Sequence, residues 1–223
     1  GILVNNGKNH GASYFDFVSF HAFPGYDATG IGDENHPYWS HRGGVVLGKI
    51  DYLRSVMASR GVSKPIFHSE GALLCPVAEL CSPPGSDFFE AQADYVVWLY
   101  ARNWANGLVG TIWHTFEGPG WRYGQLLDSS GEPLPSFYAL QFFSQELRGV
   151  NFSQQLFSYP GLRAYEFKSN RKRIHVLWSP DDQPHPIALP TGVLRVVDKY
   201  GNLVVPQNNQ LNVKSPLYIE LIP

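Results

Sequence analysis

Basic residues are few and scattered. Lys plus Arg number 17 against 19 Asp plus Glu, a formal net charge of −2 at pH 7. No basic run stands out, so electrostatics gives no reason to expect nucleic acid or an anionic membrane as partner. Long apolar runs are also missing: none approaches the roughly 20 residues that cross a bilayer. Methionine occurs once, and not at the start, where Gly1-Ile2-Leu3-Val4-Asn5-Asn6-Gly7 stands. That opening has neither the basic nor the apolar region of a signal peptide. It reads as an apolar strand cut from something longer. Cysteine occurs twice, at Cys75 and Cys81. Five intervening residues fit no usual zinc ligand pair. The pair closes a small loop as a disulfide, the favoured reading, or remains as two free thiols. A disulfide would imply an oxidising compartment, hence a secreted or extracytoplasmic chain.

What is present is aromatic and apolar. The 223 residues are 43% hydrophobic and 14% aromatic, with 22 Gly and 17 Pro. That content excludes intrinsic disorder, and the length suits one or two domains. Low charge with many aromatics suggests a rigid, loop-rich protein, a composition common among sugar-handling proteins.

The first part of the chain alternates strand and helix patterns. Residues 15–23 form an aromatic, β-branched strand closed by Pro24-Gly25. A long Gly-rich loop follows to Gly44, holding Asp33, Glu34, His36, Tyr38, Trp39 and His41. Loops of this length in compact domains usually carry function or are disordered. Val46, Ile50, Leu53 and Met57 then recur at helical spacing, with Gly61 placed to end the helix. Residues 64–71 make a second strand ending in Glu70. Asp87 and Glu90 predict a capping box for a helix from Phe88 to about Asn106. Residues 108–114 are a third strand, and Pro135 opens a third helix ending near Leu147.

After Gly149 the pattern changes. Short strands are expected at residues 163–167, 173–178, 193–197, 203–205 and 217–222, with turns at Asp181-Asp182, Lys199 to Asn202 and Gln207 to Asn209. Strand–helix units followed by runs of strands give two domains, 1–149 and 150–223. The fold class expected is α/β plus all-β.

Successive strand–helix units imply a parallel sheet, and parallel sheets bind ligands at the carboxyl ends of their strands. His21, Glu70, Trp113, His114 and Glu117 fall just there. A carboxylate beside an indole platform is what glycoside cleavage requires. The carboxylate attacks or stabilises an oxocarbenium-like centre, and the indole covers the apolar face of a sugar ring.

These residues carry a family resemblance. Lys64-Pro65-Ile66-Phe67-His68-Ser69-Glu70-Gly71 resembles the seventh barrel strand of clan A retaining glycoside hydrolases, which ends in the nucleophile Glu. Gly107 to Trp113 resembles the eighth strand, whose Trp lines the subsite around the cleaved bond. Asp16 to His21 resembles the sixth. Gly124-Gln125-Leu126-Leu127-Asp128, Gly131-Glu132-Pro133 and Pro135 to Leu140 resemble the run into the last barrel helix. The β-rich end resembles the sandwich that follows the barrel in family 39-like and family 5-like members. The resemblance implies the last three to four βα units of a (β/α)₈ TIM-type barrel, then a small antiparallel β-sandwich. It implies Glu70 as catalytic nucleophile, with no cofactor.

The departures bear on function. A complete barrel takes about 250 residues, and residues 1–149 supply about half a barrel, with Ile2-Leu3-Val4 as one extra strand. The clan's fourth strand carries an Asn-Glu pair whose Glu is the general acid/base, and this chain has no Asn-Glu dipeptide. Glu117, Glu34 and Asp33 are the substitutes in reach. An open parallel sheet exposes strand edges and an apolar face. A homo-oligomer or a separate N-terminal half-barrel is therefore expected as partner. The ligand expected is a carbohydrate.

The remaining candidates each carry a plain structural alternative. His21 donates to substrate or is a buried structural residue. His68, two residues before Glu70, faces the same side and tunes Glu70 or fills the interior. Trp113 is a sugar platform or a core indole with its N–H satisfied. Trp121 and Glu117 lie on the rim loop, where Trp121 binds sugar or caps the barrel. Asp33, Glu34, His36 and His41 as metal ligands is the weaker reading, because the Gly-rich loop fixes no geometry. Hydrolysis stands against a second reading: a non-catalytic carbohydrate-binding or oligomerising half-barrel.

Overall fold

The computed structural model describes residues 11–77, 81–118 and 121–223. The expected strand at Ile2-Leu3-Val4 lies outside them. Three strands form a parallel sheet in the order β1-β4-β5: β1 (Val18–Ala22), β4 (Ile66–Gly71) and β5 (Gly110–Trp113). A small hairpin, β2 (Tyr26–Asp27) and β3 (Gly30–Ile31), follows β1. The crossovers are α1 (Val45–Ala58), between β3 and β4, and α2 (Ser86–Ala105), between β4 and β5. After β5 comes α3 (Pro135–Glu146), with proline at its first turn, where a missing N–H costs nothing.

The β-rich end is a five-stranded antiparallel sheet, ordered β10-β12-β8-β7-β6. Its strands are β6 (Asn151–Gln155), β7 (Arg163–Lys168), β8 (Arg173–Trp178), β10 (Val193–Asp198) and β12 (Leu217–Leu221). A two-stranded ribbon, β9 (His185–Ala188) with β11 (Gln210–Val213), adds Ile187, Leu211 and Val213 to an apolar cluster with Leu177 and Ile219 of the large sheet. Leu203 to Val205, expected as a strand, supplies one isolated bridge, Val197 to Leu203.

Helix α2 is the spine. Its Phe88, Tyr95, Val96 and Leu99 are fully buried. Trp98 stacks on Trp178 of β8 at 5.8 Å, and Trp104 meets Phe167 of β7 at 5.1 Å. Such pairs contribute about 0.5–1.5 kcal/mol each beyond their buried area. Both ends of the chain thus share one apolar cluster. The expected capping box is not formed: Gly85 is the N-cap and no side chain caps. Glu90 instead accepts from the Tyr200 hydroxyl at 2.9 Å and pairs with Lys199 at 2.8 Å. Those contacts tie α2 to the β-rich end.

Among the described residues, the other face of the parallel sheet is only partly covered. Phe17 packs edge-on against Phe67, whose ring lies where a Cβ on Gly110 would stand. Phe17 and Ile112 remain about half exposed, at 51% and 50%. Among the described residues, no helix is long and apolar enough to cross a membrane.

Candidate active site

The three parallel strands end together. His21 is register partner of Glu70, Ala22 of Gly71, and Gly71 of Trp113. Up to Phe20 the register pairs Phe20 with His68; beyond it, His21 pairs with Glu70. One extra residue of β4, Ser69, is absorbed there, and such a bulge reverses the alternation of side chains. Glu70 therefore turns to the open rim while His68 stays under the sheet.

At the rim, His21 Nδ1 lies 3.3 Å from Glu70 Oε2, both side chains partly exposed. The Lys49 ammonium donates to the His21 carbonyl at 2.9 Å, fixing the end of β1. Phe23 sits at the centre of an aromatic cluster. Its ring lies 6.4 Å from His21, 5.9 Å from His114 and 5.4 Å from Trp121. Trp121 is half exposed, with the Arg122 guanidinium 5.2 Å from its ring. Sequence reasoning took Phe23 only as a strand end, and placed His114 at the carboxyl end of its strand without giving it a role. The signal available for both was the aromatic content of the two strand ends.

Two expected site residues are elsewhere. His68 is not beside Glu70 but fully buried, stacked on Phe20 at 4.4 Å. The Asn103 amide of α2 lies 2.9 Å from its Nδ1 and also donates to the Thr111 hydroxyl. With that donor, the neutral ring carries its proton on Nε2. Burial, foremost, pushes its pKa down to about 4. Trp113 is likewise buried, not a rim platform, and its indole N–H donates to the Gly124 carbonyl at 2.8 Å. At the end of β5, Trp113 turns inward and the next residue, His114, reaches the aromatic cluster at the rim. Glu117 is exposed on the loop after β5, where its carbonyl accepts from the Thr115 hydroxyl.

Asp33 and Glu34 are not free acids. Asp33 Oδ1 accepts from the Val45 N–H at 2.7 Å and caps α1. Its other oxygen meets the Tyr95 hydroxyl and the Arg102 guanidinium. Glu34 lies between Arg102 at 3.4 Å and Arg163 of β7 at 2.6 Å. Burial alone would lower the Arg102 pKa, but Asp33, Tyr95 and Glu34 reverse that and hold it raised. His36 and His41 stand apart from this network, one against the Tyr38 N–H and one against Arg42. Among the described residues, no three His, Cys, Asp or Glu side chains gather as a metal would need.

Cys75 and Cys81 are joined as a disulfide, with Cα atoms 5.7 Å apart. The Cys75 N–H donates to the Arg122 carbonyl at 3.0 Å, so this loop holds the turn that carries Trp121.

Neither a protein-family model nor a curated protein matches the chain in sequence. Solved structures match it in fold. The chain is similar to a family 39 glycoside hydrolase from the gut symbiont Bacteroides cellulosilyticus, with a TM-score of 0.61 and 19% identity. That match covers 77% of this chain and 37% of the other. It is similar to a family 86 glycoside hydrolase solved in complex with neoagarooctaose, with a TM-score of 0.59 and 11% identity. There the coverage is 96% of this chain and 38% of the other. A β-porphyranase of family 86 from the human gut bacterium Bacteroides plebeius gives a TM-score of 0.51 and 13% identity, over 96% of this chain and 42% of that one. The chain thus spans well under half the length of these proteins. Its fold matches part of a clan A glycoside hydrolase domain, a mixed α/β arrangement with a parallel sheet and antiparallel sheets.

Proposed function

We propose that this chain is part of a retaining glycoside hydrolase with Glu70 as its nucleophile. One observation carries the reading. The Glu70 carboxylate stands at the carboxyl end of β4, 3.3 Å from His21, beside the aromatic cluster of Phe23, His114 and Trp121. A carboxylate so placed attacks the anomeric carbon, and the aromatic rings cover the apolar face of the sugar. His21 orients Glu70. Under this reading, residues 1–149 are the C-terminal part of a (β/α)₈ barrel and residues 150–223 a β-sandwich domain. The Cys75–Cys81 disulfide suits an oxidising compartment.

Retaining hydrolysis needs a second carboxyl about 5–5.5 Å from the first. Asp33 and Glu34 are committed to Arg102 and Arg163. Glu117 is exposed on the loop after β5, its backbone carbonyl accepting from the Thr115 hydroxyl. In our reading the acid/base comes from the polypeptide that covers the rest of the sheet face, a second copy or a separate N-terminal half-barrel. The isolated chain then binds oligosaccharide with weak turnover or none.

The test uses agaro-, porphyran- and xylo-oligosaccharides, with binding by calorimetry, turnover by release of reducing ends, and mass by light scattering. Binding that survives Glu70→Gln, with turnover confined to larger assemblies and abolished by that substitution, is the expected result. Strong turnover by a 25 kDa monomer would remove the need for an outside acid. Turnover unchanged in Glu70→Gln would overturn the nucleophile.

A further inference from the structure

The turn that carries Trp121 is built against local preference. Arg122 has φ 51° and ψ 44°, and Tyr123 has φ 63°. The Gly124 N–H donates to the Trp121 carbonyl at 3.1 Å. Two left-handed central residues closed by that bond make a type I′ turn, which ordinarily takes Asn-Gly. Arg and Tyr stand in it here, and a side chain in the left-handed region is unfavourable where glycine is not.

Three donors hold the turn in place. The Arg122 carbonyl accepts from the Cys75 N–H at 3.0 Å, the Tyr123 carbonyl from the Gln92 amide at 2.9 Å, and the Gly124 carbonyl from the Trp113 indole at 2.8 Å. Gln92 is fully buried in α2, and its own carbonyl accepts from the Ser136 hydroxyl of α3 at 3.0 Å. Gly124 is closed in: a Cβ there would stand 2.8 Å from the His114 carbonyl oxygen. Strained backbone that its surroundings over-determine clusters at ligand sites. What this turn delivers to the rim is two exposed side chains, Trp121 and Arg122.

The charge of Arg122 is placed differently from that of other ordered arginines. Arg102, Arg163, Arg173 and Arg195 are each paired with a carboxylate. The Arg122 guanidinium lies over the Trp121 ring, at 5.2 Å, and that ring meets Phe23 at 5.4 Å. Through Phe23 and His21 the contacts run on to Glu70. A planar cation held on an indole suits an anionic group, which it meets with two parallel hydrogen bonds. Arg122 and Glu70 are the two ends of this run of contacts, so the aromatic cluster separates an anion at Arg122 from the carboxylate that would repel it.

We propose that Arg122 is a specificity residue of the Glu70 rim and selects an acidic oligosaccharide, whose sulfate ester or carboxylate pairs with the guanidinium while its sugar rings pack on the aromatic cluster. The proposal rests on the reading of that rim as a glycoside site.

The test measures binding by calorimetry at low ionic strength for two matched pairs. One is a porphyran tetrasaccharide against neoagarotetraose, the other a xylotetraose bearing glucuronic acid against plain xylotetraose. The acidic member of at least one pair should bind about three- to tenfold more tightly, and which pair does so tells sulfate from carboxylate. That ratio should shrink as salt rises and fall to near one in Arg122→Gln. Arg122→Lys, which keeps the charge, should retain part of it. Arg122→Asn, which tolerates a left-handed backbone, should lose the preference while raising the thermal midpoint. Equal or weaker binding of the acidic members, or a preference that survives Arg122→Gln, would overturn the proposal and leave the Glu70 reading standing. Absence of binding to all four sugars would overturn both.

Discussion

The imidazole of His68 occupies the space that a side chain on Gly71 would need. A Cβ built on Gly71 would stand 2.6 Å from His68 Cε1 and 3.2 Å from Leu99 Cδ2. Glycine after Glu70 is therefore a packing requirement, and it couples a buried ring to the rim carboxylate. Gly71→Ala should destabilise the fold by about 1–3 kcal/mol, the usual cost of overpacking. The measurement is urea unfolding, with a lower midpoint at unchanged slope. The double substitution Gly71→Ala/His68→Ala should cost less than the sum of its parts, because the clash is shared. Strict additivity would show that the two positions do not touch.

The same ring should make stability depend on pH. Its folded-state pKa is pushed down to about 4 by burial, against an ordinary value of 6.5. As pH falls below about 6.5 the unfolded chain takes the proton first, so the folded state loses ground. The stabilisation is complete above pH 6.5 and is lost progressively toward pH 4. The shift corresponds to roughly 3 kcal/mol over that window. His175, also lowered by burial, adds a loss of the same sign. Urea midpoints at pH 7.5, 6 and 5 should fall in the native chain and fall less steeply in His68→Gln. Identical slopes would show that His68 titrates alike in both states.

Arg102 holds the long loop to the rest of the molecule. Its guanidinium is fully buried between Asp33 and Glu34, and Glu34 is also held by Arg163 of β7. Arg102→Met leaves the buried Asp33 without its cation and Glu34 with Arg163 alone. A loss of about 3–5 kcal/mol is expected, as for other broken buried pairs. Arg163→Met, at a partly exposed side chain, should cost less, about 1 kcal/mol. Calorimetric melting of the two variants distinguishes these outcomes. Equal effects would mean that Arg102 is not the centre of the network.

The sequence made legible what local pattern controls. The strand ending in Glu70 stood out by composition and by its flanking turn residues. The three helices stood out by apolar spacing and by Pro135 and Gly61. Strands β9 and β11 did not, because Pro186 interrupts one and Asn residues crowd the other, and both form only by pairing at long range. His68 was misplaced relative to Glu70 by the irregularity of its own strand. A bulge absorbing one residue reverses a period of two, and nothing in the composition of β4 announces it. Asp33 and Glu34 looked like free acids because their partners, Arg102 and Arg163, lie 68 to 129 residues away. The disulfide was within reach of spacing alone, since both cysteines belong to one short loop.

That disulfide has a consequence at the rim. Cys75 is bonded to Cys81 and its N–H donates to the Arg122 carbonyl. Arg122 stacks over Trp121, and Trp121 packs edge-on against Phe23, 5.4 Å away. A chain of contacts thus runs from the closed loop to the aromatic surface beside Glu70. Closing so short a loop is worth about 2 kcal/mol in the chain-entropy account. Opening it should lower stability by that amount and also release the turn that presents Trp121. The double substitution Cys75→Ser/Cys81→Ser should therefore weaken oligosaccharide binding, although neither sulfur touches the rim. Trp121→Ala removes the ring itself and should weaken binding about two- to tenfold, the range expected for one aromatic contact. Combining the two changes separates positioning from contact. If the loop acts only by holding Trp121, the combined variant binds no worse than Trp121→Ala alone. Additive losses in calorimetric titration would mean that the loop shapes the rim by a route other than Trp121.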